Sequence, residues 1–471
     1  MAARSKGNDP KYHKTAWGWG RTEPPSPAEV LAFRLFPWKL VYALVVSVPL
    51  CIVHLALGWS FSVWSLLVTV GLGAVLLMPI LSVVLVCHSY VVAASSPLDQ
   101  QYITFVDKDF ERKYKGKKIP IEPLYEAYFA GKIDIVGDLL ESLYQRYSFA
   151  KFVFTWEHFR FFVFQLIPEL IVHSKQQDND QVRDHYDRGN DFYGAFLGET
   201  MIYTSGIFHD ENNTLEEAQR NKLELVCQKI HMKKGERHLD IGCGWGTMVI
   251  HAAKNYGTDS TGVTLAREQT QFATQRIEEN KVSSSARILC MDYRDIPFKK
   301  YNKITCLEMA EHVGVRLFPK FMRQVYDMLE DDGVFYLQIA GLRRAWQYED
   351  FMWGLFMGKY VFPGADASCP LAWVIDQAEG AGFEVHSVET VGIHYSATIK
   401  RWYDNWNKPE NKKHILAKYG QHWFRKWAWF LAWSTIIAEH GSATCFQIVL
   451  HKNTRAFDRN RYIAERAHWK I

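Results

Sequence analysis

The sequence predicts an α/β protein with a Rossmann-like sheet that follows an apolar N-terminal hairpin. From Arg237 onward, strand-like segments alternate with helical patterns, which is typical of βαβ units and a parallel sheet. The first of these strands ends in a glycine turn, HLDIGCGWG, at residues 238–246. Residues 40–98 contain no Asp, Glu, Lys or Arg, whereas both flanks are rich in them. We therefore expect a membrane-embedded part and a globular domain in this chain of 471 residues.

The apolar tract predicts a transmembrane hairpin at residues 39–95, after a polar tail at residues 1–38. Its first helix, at about residues 40–57, would be about 27 Å long, which is enough to cross the hydrocarbon core of a bilayer. The second, at about residues 61–92, is longer than one crossing requires. Lys and Arg lie on both flanks and not in the connection, so both flanks are expected in the cytosol, at the endoplasmic reticulum membrane. A buried helical pair in a soluble domain is the alternative.

Residues 96–178 form the predicted connector to a globular domain at residues 179–471. Within the connector, residues 149–172 are strongly aromatic but carry Lys151, Glu157 and Arg160. This segment is either an interfacial helix on the membrane or a helix that packs in a core. The net charge of +4 gives no indication of nucleic-acid binding. The eight cysteines form no C-x-x-C pair, which agrees with a reducing, cytosol-facing domain.

The globular domain contains a regular series of predicted strands. They end near Ile241, Thr264, Cys290, Leu307 and Ala340, and two more are expected from Phe383 and from Cys445. Residues 341–380 interrupt the series and are rich in Trp, Phe and Tyr, which predicts an aromatic lid insertion for an apolar substrate. The aromatic segment at residues 419–434 is interpreted as a packed helix rather than a membrane-facing surface.

The glycine turn indicates which ligand the sheet binds. A dinucleotide fingerprint reads G-x-G-x-x-G and binds an anionic pyrophosphate, but here the glycines fall at Gly242, Gly244 and Gly246. Asp240 would repel a pyrophosphate, whereas it would attract the ammonium and sulfonium groups of S-adenosylmethionine. The glycines let the backbone approach a ligand closely. Together with the charge of Asp240, this leads us to expect S-adenosylmethionine as the cofactor. A turn that only reverses the chain is the alternative.

Several sequence blocks occur in an order that is known from one enzyme family. They are HYDRGNDFY (185–193), MIYTSGIF (201–208), LEEAQRNKL (215–223), LDIGCGWG (239–246), GVTLAREQ (262–269), DYRD (292–295), EMAEHVG (308–314), KYVFPG (359–364) and HYSATIKRW (394–402). Over residues 182–452 the chain resembles the cyclopropane-fatty-acyl-phospholipid synthases. The apolar hairpin and residues 337–368 make it most similar to the fungal sphingolipid C9-methyltransferases.

This resemblance implies a class I S-adenosylmethionine-dependent methyltransferase domain. The implied reaction adds a methyl group to C9 of the Δ8 double bond of the sphingoid base in ceramide, through a carbocation, in glucosylceramide biosynthesis. The resemblance also implies a set of cofactor-binding residues: Tyr203, Thr204, His238, Leu239, Asp240, Ile241, Gly242, Cys243, Gly244, Trp245, Gly246, Thr264, Leu265, Gln269, Tyr293 and Arg294. Thr264 and Gln269 are expected to hydrogen-bond the ribose or amino-acid portion, and Tyr293 to stack beside the adenine.

The implied reaction requires cation-stabilising rings and a proton acceptor. An alkene that takes up a methyl cation becomes a carbocation, which must lose a proton. The candidate rings are Tyr186, Phe356, Tyr360 and Tyr395. The acid expected to accept the proton is Glu311, at the end of a strand, with His312 as the second candidate.

The chain departs from the synthases at two positions of the implied catalytic site. The synthases have a cysteine and a histidine where this chain has Ser205 and Gln338. In that family these groups, with the equivalents of Glu311 and Tyr395, hold a bicarbonate that removes the proton. Ser205 and Gln338 can donate hydrogen bonds but bring no charge. Either bicarbonate or Glu311 itself is therefore the expected base.

Two other functions are left open by the sequence. A membrane-tethered cyclopropane synthase would act on unsaturated phospholipid acyl chains, and Ser205 and Gln338 would then be neutral replacements. A non-catalytic lipid-binding protein would have broken cofactor blocks, whereas these blocks are intact. No His, Cys and Asp cluster has metal-ligand spacing, so we expect no metal. The partner is a ceramide or another unsaturated lipid, and the sequence leaves a homo-oligomer open.

Overall fold

The computed structural model describes residues 12–15, 18–21, 101–166, 188–344, 347–363 and 369–462, with isolated positions at 39, 52, 62, 64, 83–84 and 86–88. The chain divides into two compact units, which are considered separately. Unit 1 comprises Met1–Glu23, Val172–Arg344 and Tyr360–Ile471, and unit 2 comprises Pro24–Ile171 and Ala345–Lys359. Tyr186 and, apart from the isolated positions, the predicted transmembrane hairpin lie outside the described residues. Within the described residues, no helix combines the length and the apolar composition needed to cross a bilayer.

Strands and α-helices are numbered in chain order. The strands are β1 Tyr12–Thr15, β2 Gly18–Arg21, β3 Ile103–Phe105, β4 Ile119–Pro120, β5 Ile133–Ile135, β6 Ala150–Lys151, β7 Arg237–Ile241, β8 Asp259–Thr264, β9 Ala286–Cys290, β10 Tyr301–Leu307, β11 Leu329–Leu342, β12 Phe383–Thr390 and β13 Ala443–Lys452. The helices are α1 Lys108–Tyr114, α2 Ile121–Phe129, α3 Leu139–Tyr144, α4 Arg146–Phe149, α5 Trp156–Phe161, α6 Asn190–Leu197, α7 Leu215–Lys229, α8 Thr247–His251, α9 Arg267–Glu279, α10 Phe318–Met328, α11 Tyr348–Phe356, α12 Leu371–Gly380, α13 Gly392–Trp406 and α14 Pro409–Glu439.

The main sheet of unit 1 has the strand order β12-β13-β11-β10-β7-β8-β9. The five strands from β11 to β9 pair in parallel, as the alternating pattern predicts, whereas β13 is antiparallel to both β11 and β12. The predicted ends at Ile241, Thr264, Cys290 and Leu307 are confirmed, and β11 continues to Leu342. Because the chain order reverses between β7 and β10, a ligand is expected at the carboxyl ends of these strands.

Apolar side chains on alternating strand positions hold the helices of unit 1 against the sheet. Leu337 of β11 belongs to the buried cluster that contains Phe321 of α10, and its neighbour Tyr336 belongs to the cluster that contains Val226 of α7. This division follows from the period of two along a strand. The start of α7 is fixed by a capping box in which the backbone N–H of Glu217 donates to the Thr214 hydroxyl over 3.1 Å.

The predicted aromatic insertion at residues 341–380 is divided by the structure. Ala345–Lys359, with α11, belongs to unit 2, whereas α12 in unit 1 places Val374 and Ala378 in the buried cluster of the sheet. Phe356, a candidate cation-stabilising ring, is fully buried in unit 2, with its ring centroid 5.2 Å from that of Tyr125. This corrects the expectation for Phe356, because a ring enclosed by its own core stabilises the unit rather than a substrate cation.

The remaining aromatic segments differ in how they are packed. In the connector, Phe159 and Phe161 of α5 are buried, whereas Trp156 and Phe164 are 68% exposed. One side of the described part of this segment therefore packs in a core. Its contact with a membrane remains a prediction. In α14, which is interrupted at Gly420, the side chains of residues 427, 429 and 433 are buried tryptophans. The expected packed helix is confirmed there.

Candidate functional site

A cavity lies at the carboxyl ends of the central strands of unit 1. Twelve of the predicted cofactor residues line it: Tyr203, Thr204, Asp240, Gly242, Cys243, Gly244, Trp245, Thr264, Leu265, Gln269, Tyr293 and Arg294. The lining contains four further polar side chains that were not predicted to bind the cofactor, Lys222, Thr247, Asp292 and Glu308, and also His312, which was predicted only as a second base. The structure thus brings four strand ends, those of β7, β8, β9 and β10, together with residues 201–204 and α7, to one site.

The glycine turn leaves space for a ligand beside the backbone. Gly244 has a φ of 51° and lines the cavity, and a Cβ atom added there would meet no heavy atom within 4 Å. Gly242 has a φ of 79°, and a Cβ there would lie 2.4 Å from the side chain of Met309. The turn is also held from outside, because the Trp245 indole N–H donates to Asn190 Oδ1 over 2.7 Å. At Gly242 the positive φ and the close approach of Met309 both require glycine, whereas at Gly244 the positive φ favours glycine and the open space is left for a ligand.

Asp240 supplies the negative charge that the sequence predicted beside this turn. Its side chain is buried, and burial raises its pKa to about 6, although a hydroxyl donor, Thr305 over 2.6 Å, and the charge of Lys222 oppose that rise. His238 lies behind Asp240, with Nε2 2.9 Å from Thr305 Oγ1, and burial lowers its pKa to about 3, so it is neutral. Asp240 is therefore ionised near neutral pH and protonates on mild acidification.

The affinity for S-adenosylmethionine is expected to fall as the pH drops below about 6. Protonation of Asp240 removes the charge that attracts the ligand, so the affinity at pH 5 should be about tenfold lower than at pH 7. Isothermal titration calorimetry between pH 5 and 7 measures this, with circular dichroism to verify the fold. In Asp240→Asn the affinity should be uniformly low and independent of pH. An equally steep pH dependence in that variant would contradict the assignment.

The other predicted ligand contacts are arranged around the same cavity. The Thr264 hydroxyl donates to Gln269 Oε1 over 2.7 Å, which leaves the Gln269 amide hydrogens for a ligand. The guanidinium of Arg294 is held by Asp292, with Nε 2.8 Å from Oδ1. The ring of Tyr293 lies edge-on to a buried phenylalanine at 5.4 Å. A buried carboxylate, an open glycine backbone, an amide and an aromatic ring fit the groups of S-adenosylmethionine.

Four of the predicted cofactor residues do not line this cavity, which corrects the sequence-based expectation. Leu239 and Ile241 point into the apolar core, and His238 is enclosed between the Ser260 and Thr305 hydroxyls. A strand directs successive side chains to opposite faces, so a contiguous motif cannot present every residue to one ligand. Gly246 faces α9, where an added Cβ would lie 2.8 Å from that of Ala273.

Two of the predicted catalytic residues, Ser205 and Gln338, contact the carboxylate of Glu308. Glu308 Oε1 accepts hydrogen bonds from the Ser205 backbone N–H at 2.8 Å and from Gln338 Nε2 at 2.6 Å. The Ser205 hydroxyl instead donates to the Gly206 carbonyl at 3.1 Å. Sequence reasoning missed Glu308, although a second acid in EMAEHVG, directly after a strand, was a signal that could have identified it.

Glu311 lies close enough to Glu308 for the two carboxyls to influence each other. Burial and the charge of Glu308 raise the pKa of Glu311 to about 8. Burial and the same charge raise the pKa of the Tyr395 hydroxyl well above its usual range. Glu311 Oε1 accepts from the Ala340 N–H at 2.5 Å, and Glu311 does not line the cavity. Glu311 is therefore mostly protonated at neutral pH, which is unfavourable for the base role predicted for it.

The remaining candidates are only partly associated with the site. His312 lines the cavity, with its ring 6.1 Å from that of Phe362. Tyr360 lies with its ring 5.5 Å from Lys426 Nζ and is not among the described residues that line the cavity. Its role as a cation-stabilising ring therefore has no support in this geometry.

Comparisons with known proteins agree on one family. The sequence profile described as "Mycolic acid cyclopropane synthetase" matches residues 173–448. The sphingolipid C9-methyltransferase of Komagataella phaffii is 53% identical over 377 residues, which are 78% of this chain and 77% of that protein. The sphingolipid C9-methyltransferase of Candida albicans is 44% identical over 466 residues, which are 94% of this chain and 88% of that protein.

Solved structures show the same fold. The mycolic acid cyclopropane synthase CmaA1, complexed with SAH and CTAB, has a TM-score of 0.55 and 25% identity over 58% of this chain and 98% of that chain. The cyclopropane synthase MmaA2 from Mycobacterium tuberculosis has a TM-score of 0.56 and 24% identity over the same 58% of this chain and 98% of its own. The class I methyltransferase architecture predicted from the sequence is thereby confirmed for unit 1.

Proposed function

We propose that this chain, which belongs to the mycolic acid cyclopropane synthetase family and is an S-adenosylmethionine-dependent methyltransferase, methylates C9 of the Δ8 double bond in the sphingoid base of ceramide. The observation that carries the proposal is identity of 44% to 53% with proteins named sphingolipid C9-methyltransferase over most of the chain. The cavity supports it, because its lining fits a cationic cofactor.

Each part of the cofactor has residues that would hold it. When bound, S-adenosylmethionine supplies an electrophilic methyl group. Asp240 and the backbone at Gly244 would hold the cationic amino-acid portion, while Gln269 and Tyr293 would contact the ribose and adenine. Asp240 lies on β7, and Gly244, Gln269 and Tyr293 closely follow the ends of β7, β8 and β9, so the sheet keeps their relative positions while the lipid enters.

The residues of unit 1 must also stabilise the substrate after it has gained the methyl group. Addition at C9 leaves a positive charge on C8, and a hydride shift from C9 moves that charge to C9. Loss of a proton from C8 then restores the double bond as a methyl branch. An aromatic face such as that of Tyr203 in the cavity lining suits the charged stage, and a carboxylate in the same lining suits the proton loss.

We also propose that the apolar hairpin anchors the enzyme in the endoplasmic reticulum membrane, with unit 1 in the cytosol. The uncharged tract at residues 40–98 and the basic residues on both flanks support this arrangement. The two chains of a ceramide would then enter laterally from the bilayer. If the anchor is present, extraction with alkaline carbonate should leave the protein in the membrane pellet, and release into the supernatant would refute it.

Proton NMR of the reaction product tests the proposed activity. Purified protein in detergent is incubated with methyl-labelled S-adenosylmethionine and either a Δ8-unsaturated ceramide or an oleoyl phospholipid. We expect a vinylic methyl signal on the sphingoid base and none on the phospholipid. Cyclopropane protons on the phospholipid would refute this proposal and would show that the protein is a cyclopropane synthase. Mass spectrometry cannot separate these products, because a ring and a methyl branch add the same atoms.

A further inference from the structure

Glu308 is a carboxylate with an unusual setting in the lining of the cavity. It lines the cavity and is partly buried, and it has a φ of 56°, which is strained for a residue with a side chain. Such strain occurs most often at functional sites. The strained backbone holds this side chain where three donors meet it.

The three donors come from separate parts of the fold. Ser205 N–H and Gln338 Nε2 contact Glu308 Oε1 at 2.8 and 2.6 Å, and Cys445 Sγ lies 3.5 Å from the same oxygen. Burial and the charge of Glu308 raise the pKa of the Cys445 thiol, so it keeps the proton that it donates. Burial raises the pKa of Glu308 above its ordinary value, and these three donors oppose that rise because they stabilise a negative charge on the carboxylate.

A chain of hydrogen bonds fixes the orientation of the Gln338 amide. Gln338 Oε1 accepts from Gln447 Nε2 at 3.0 Å, and Gln447 Oε1 accepts from Lys229 Nζ at 2.9 Å. Gln338 must therefore direct its NH₂ group toward Glu308. The pairing of Gln338 with Leu307 on β10 and with Gln447 on β13 brings these side chains together.

Glu311 has the opposite setting. Its Oε1 accepts a backbone hydrogen bond, and among the described residues its Oε2 has no partner. Two neighbouring carboxyls repel when both are ionised, so one proton is shared and belongs mainly to the less stabilised group. Glu311 therefore carries the proton, and Glu308 is the ionised member. Lys222 of α7 is the cation that faces Glu308.

We infer that Glu308, rather than Glu311 or an external anion, accepts the proton that the methylated substrate loses. This inference rests on the proposed function. The electrons of the C8–C9 double bond form the bond to the methyl carbon, and the electrons of the carbon–sulfur bond stay on sulfur. After the hydride shift, a C8 proton passes to the Glu308 carboxylate, and its bonding electrons form the new double bond. A proton on the carbon next to a carbocation is very acidic. The position of the acceptor therefore matters more than its basicity.

The same geometry argues against a bound bicarbonate. A small anion at this site would use the donors of Ser205, Gln338 and Cys445, and Glu308 already takes all three. It would also have to lie beside the charge of Glu308, which is unfavourable in a partly buried site. The chain thus contains its own anion, which accounts for the uncharged residues at positions 205 and 338.

The first test uses the unaltered protein. Methyl transfer to the ceramide is measured in buffer freed of carbon dioxide and bicarbonate, and again after bicarbonate is added. We expect the two rates to agree within about 1.5-fold. A loss of tenfold or more that bicarbonate restores would overturn the inference. Absence of transfer to ceramide in both buffers would instead refute the proposed substrate, and the comparison would be repeated with the phospholipid.

The second test compares Glu308→Gln with Glu311→Gln as the matched control. Glu308→Gln keeps the size of the side chain but cannot accept a proton, so kcat should fall by about 100-fold or more. Glu311→Gln should lose less than about tenfold, because the group it replaces is already neutral. Calorimetry verifies that both variants still bind S-adenosylmethionine, and kcat is then measured at saturating cofactor. Equal loss of kcat in the two variants, or a larger loss in Glu311→Gln, would overturn the inference.

Chemical rescue covers the case in which Glu308→Gln does not fold. Glu308→Ala leaves space beside the donors of Ser205 and Gln338. Added formate or bicarbonate should therefore raise the rate of this variant at least tenfold. Glu311→Ala should show no such rescue. If Glu308→Ala also fails to fold, the bicarbonate comparison decides whether an external anion is the base, and a loss of about 100-fold in Glu311→Gln would assign the role to Glu311 instead. Rescue of Glu311→Ala without rescue of Glu308→Ala would identify Glu311 as the proton acceptor.

Discussion

Gly244→Val is expected to abolish S-adenosylmethionine binding while costing no more stability than a matched glycine substitution elsewhere. Gly244 lines the cavity, and its missing side chain leaves open space within 4 Å. A valine would occupy the space that a ligand needs beside the backbone. We expect affinity to fall at least about 100-fold, which corresponds to about 2.8 kcal/mol. Isothermal titration calorimetry measures the loss.

Gly235→Val is the control for this substitution. Gly235 has a positive φ of 82°, as Gly244 has one of 51°, and a Cβ there would also meet no heavy atom within 4 Å, but Gly235 is exposed and does not line the cavity. Both variants should lose about 1–3 kcal/mol of unfolding free energy through backbone strain. Only Gly244→Val should lose the ligand. If Gly244→Val bound S-adenosylmethionine as well as Gly235→Val does, the glycine turn would not be the cofactor site.

Glu349→Ala is expected to destabilise unit 2 by about 3–5 kcal/mol, the cost of leaving one member of a buried ion pair uncompensated. The Arg146 guanidinium contacts the Glu349 carboxylate with both Nε, at 2.5 Å, and Nη2, at 2.8 Å. Both side chains are almost completely buried, and Tyr147 donates to the same carboxylate. Removing Glu349 leaves a buried positive charge. Urea denaturation of the full chain measures the change.

Glu157→Ala is the matched control, because Glu157 pairs with Arg160 in the same unit but on the surface. The two side chains are 55% and 60% exposed, so solvent screens the pair and its loss should change stability by no more than about 0.5 kcal/mol. Replacing Arg146 and Glu349 together by Met and Leu should recover most of the loss. A Glu349→Ala effect as small as that of Glu157→Ala would show that the buried pair does not hold unit 2 together.

The cofactor side of the site was largely predictable from local sequence. Asp240, Gly244 and Gln269 line the cavity as predicted, because a strand end, a glycine turn and the following helix are close in sequence as well as in space. The prediction failed for Leu239 and Ile241, which face the core. A motif shows where the turn is, but the twofold period of the strand decides which of its residues reach a ligand.

The acid-bearing side of the site was not predictable in the same way. Glu308, Ser205, Gln338 and Cys445 lie on four segments that are far apart in the chain. Their meeting depends on the antiparallel insertion of β13 beside β11, which the alternating pattern did not predict. Resemblance to a family pointed to Glu311, and the hydrogen bonds of this chain point to its neighbour Glu308 instead.

By itself, the sequence determined the α/β class, the strand ends, the cationic cofactor and the family, because each of these depends on periodicity or on residues adjacent in the chain. Only the tertiary structure decided which carboxyl is ionised, which aromatic residues are core and how the predicted lid is divided. Phe356 shows the reason, since an aromatic side chain fits a core and a substrate wall equally well. Burial, hydrogen-bond partners and neighbouring charges set these roles, and they exist only after distant segments have been brought together.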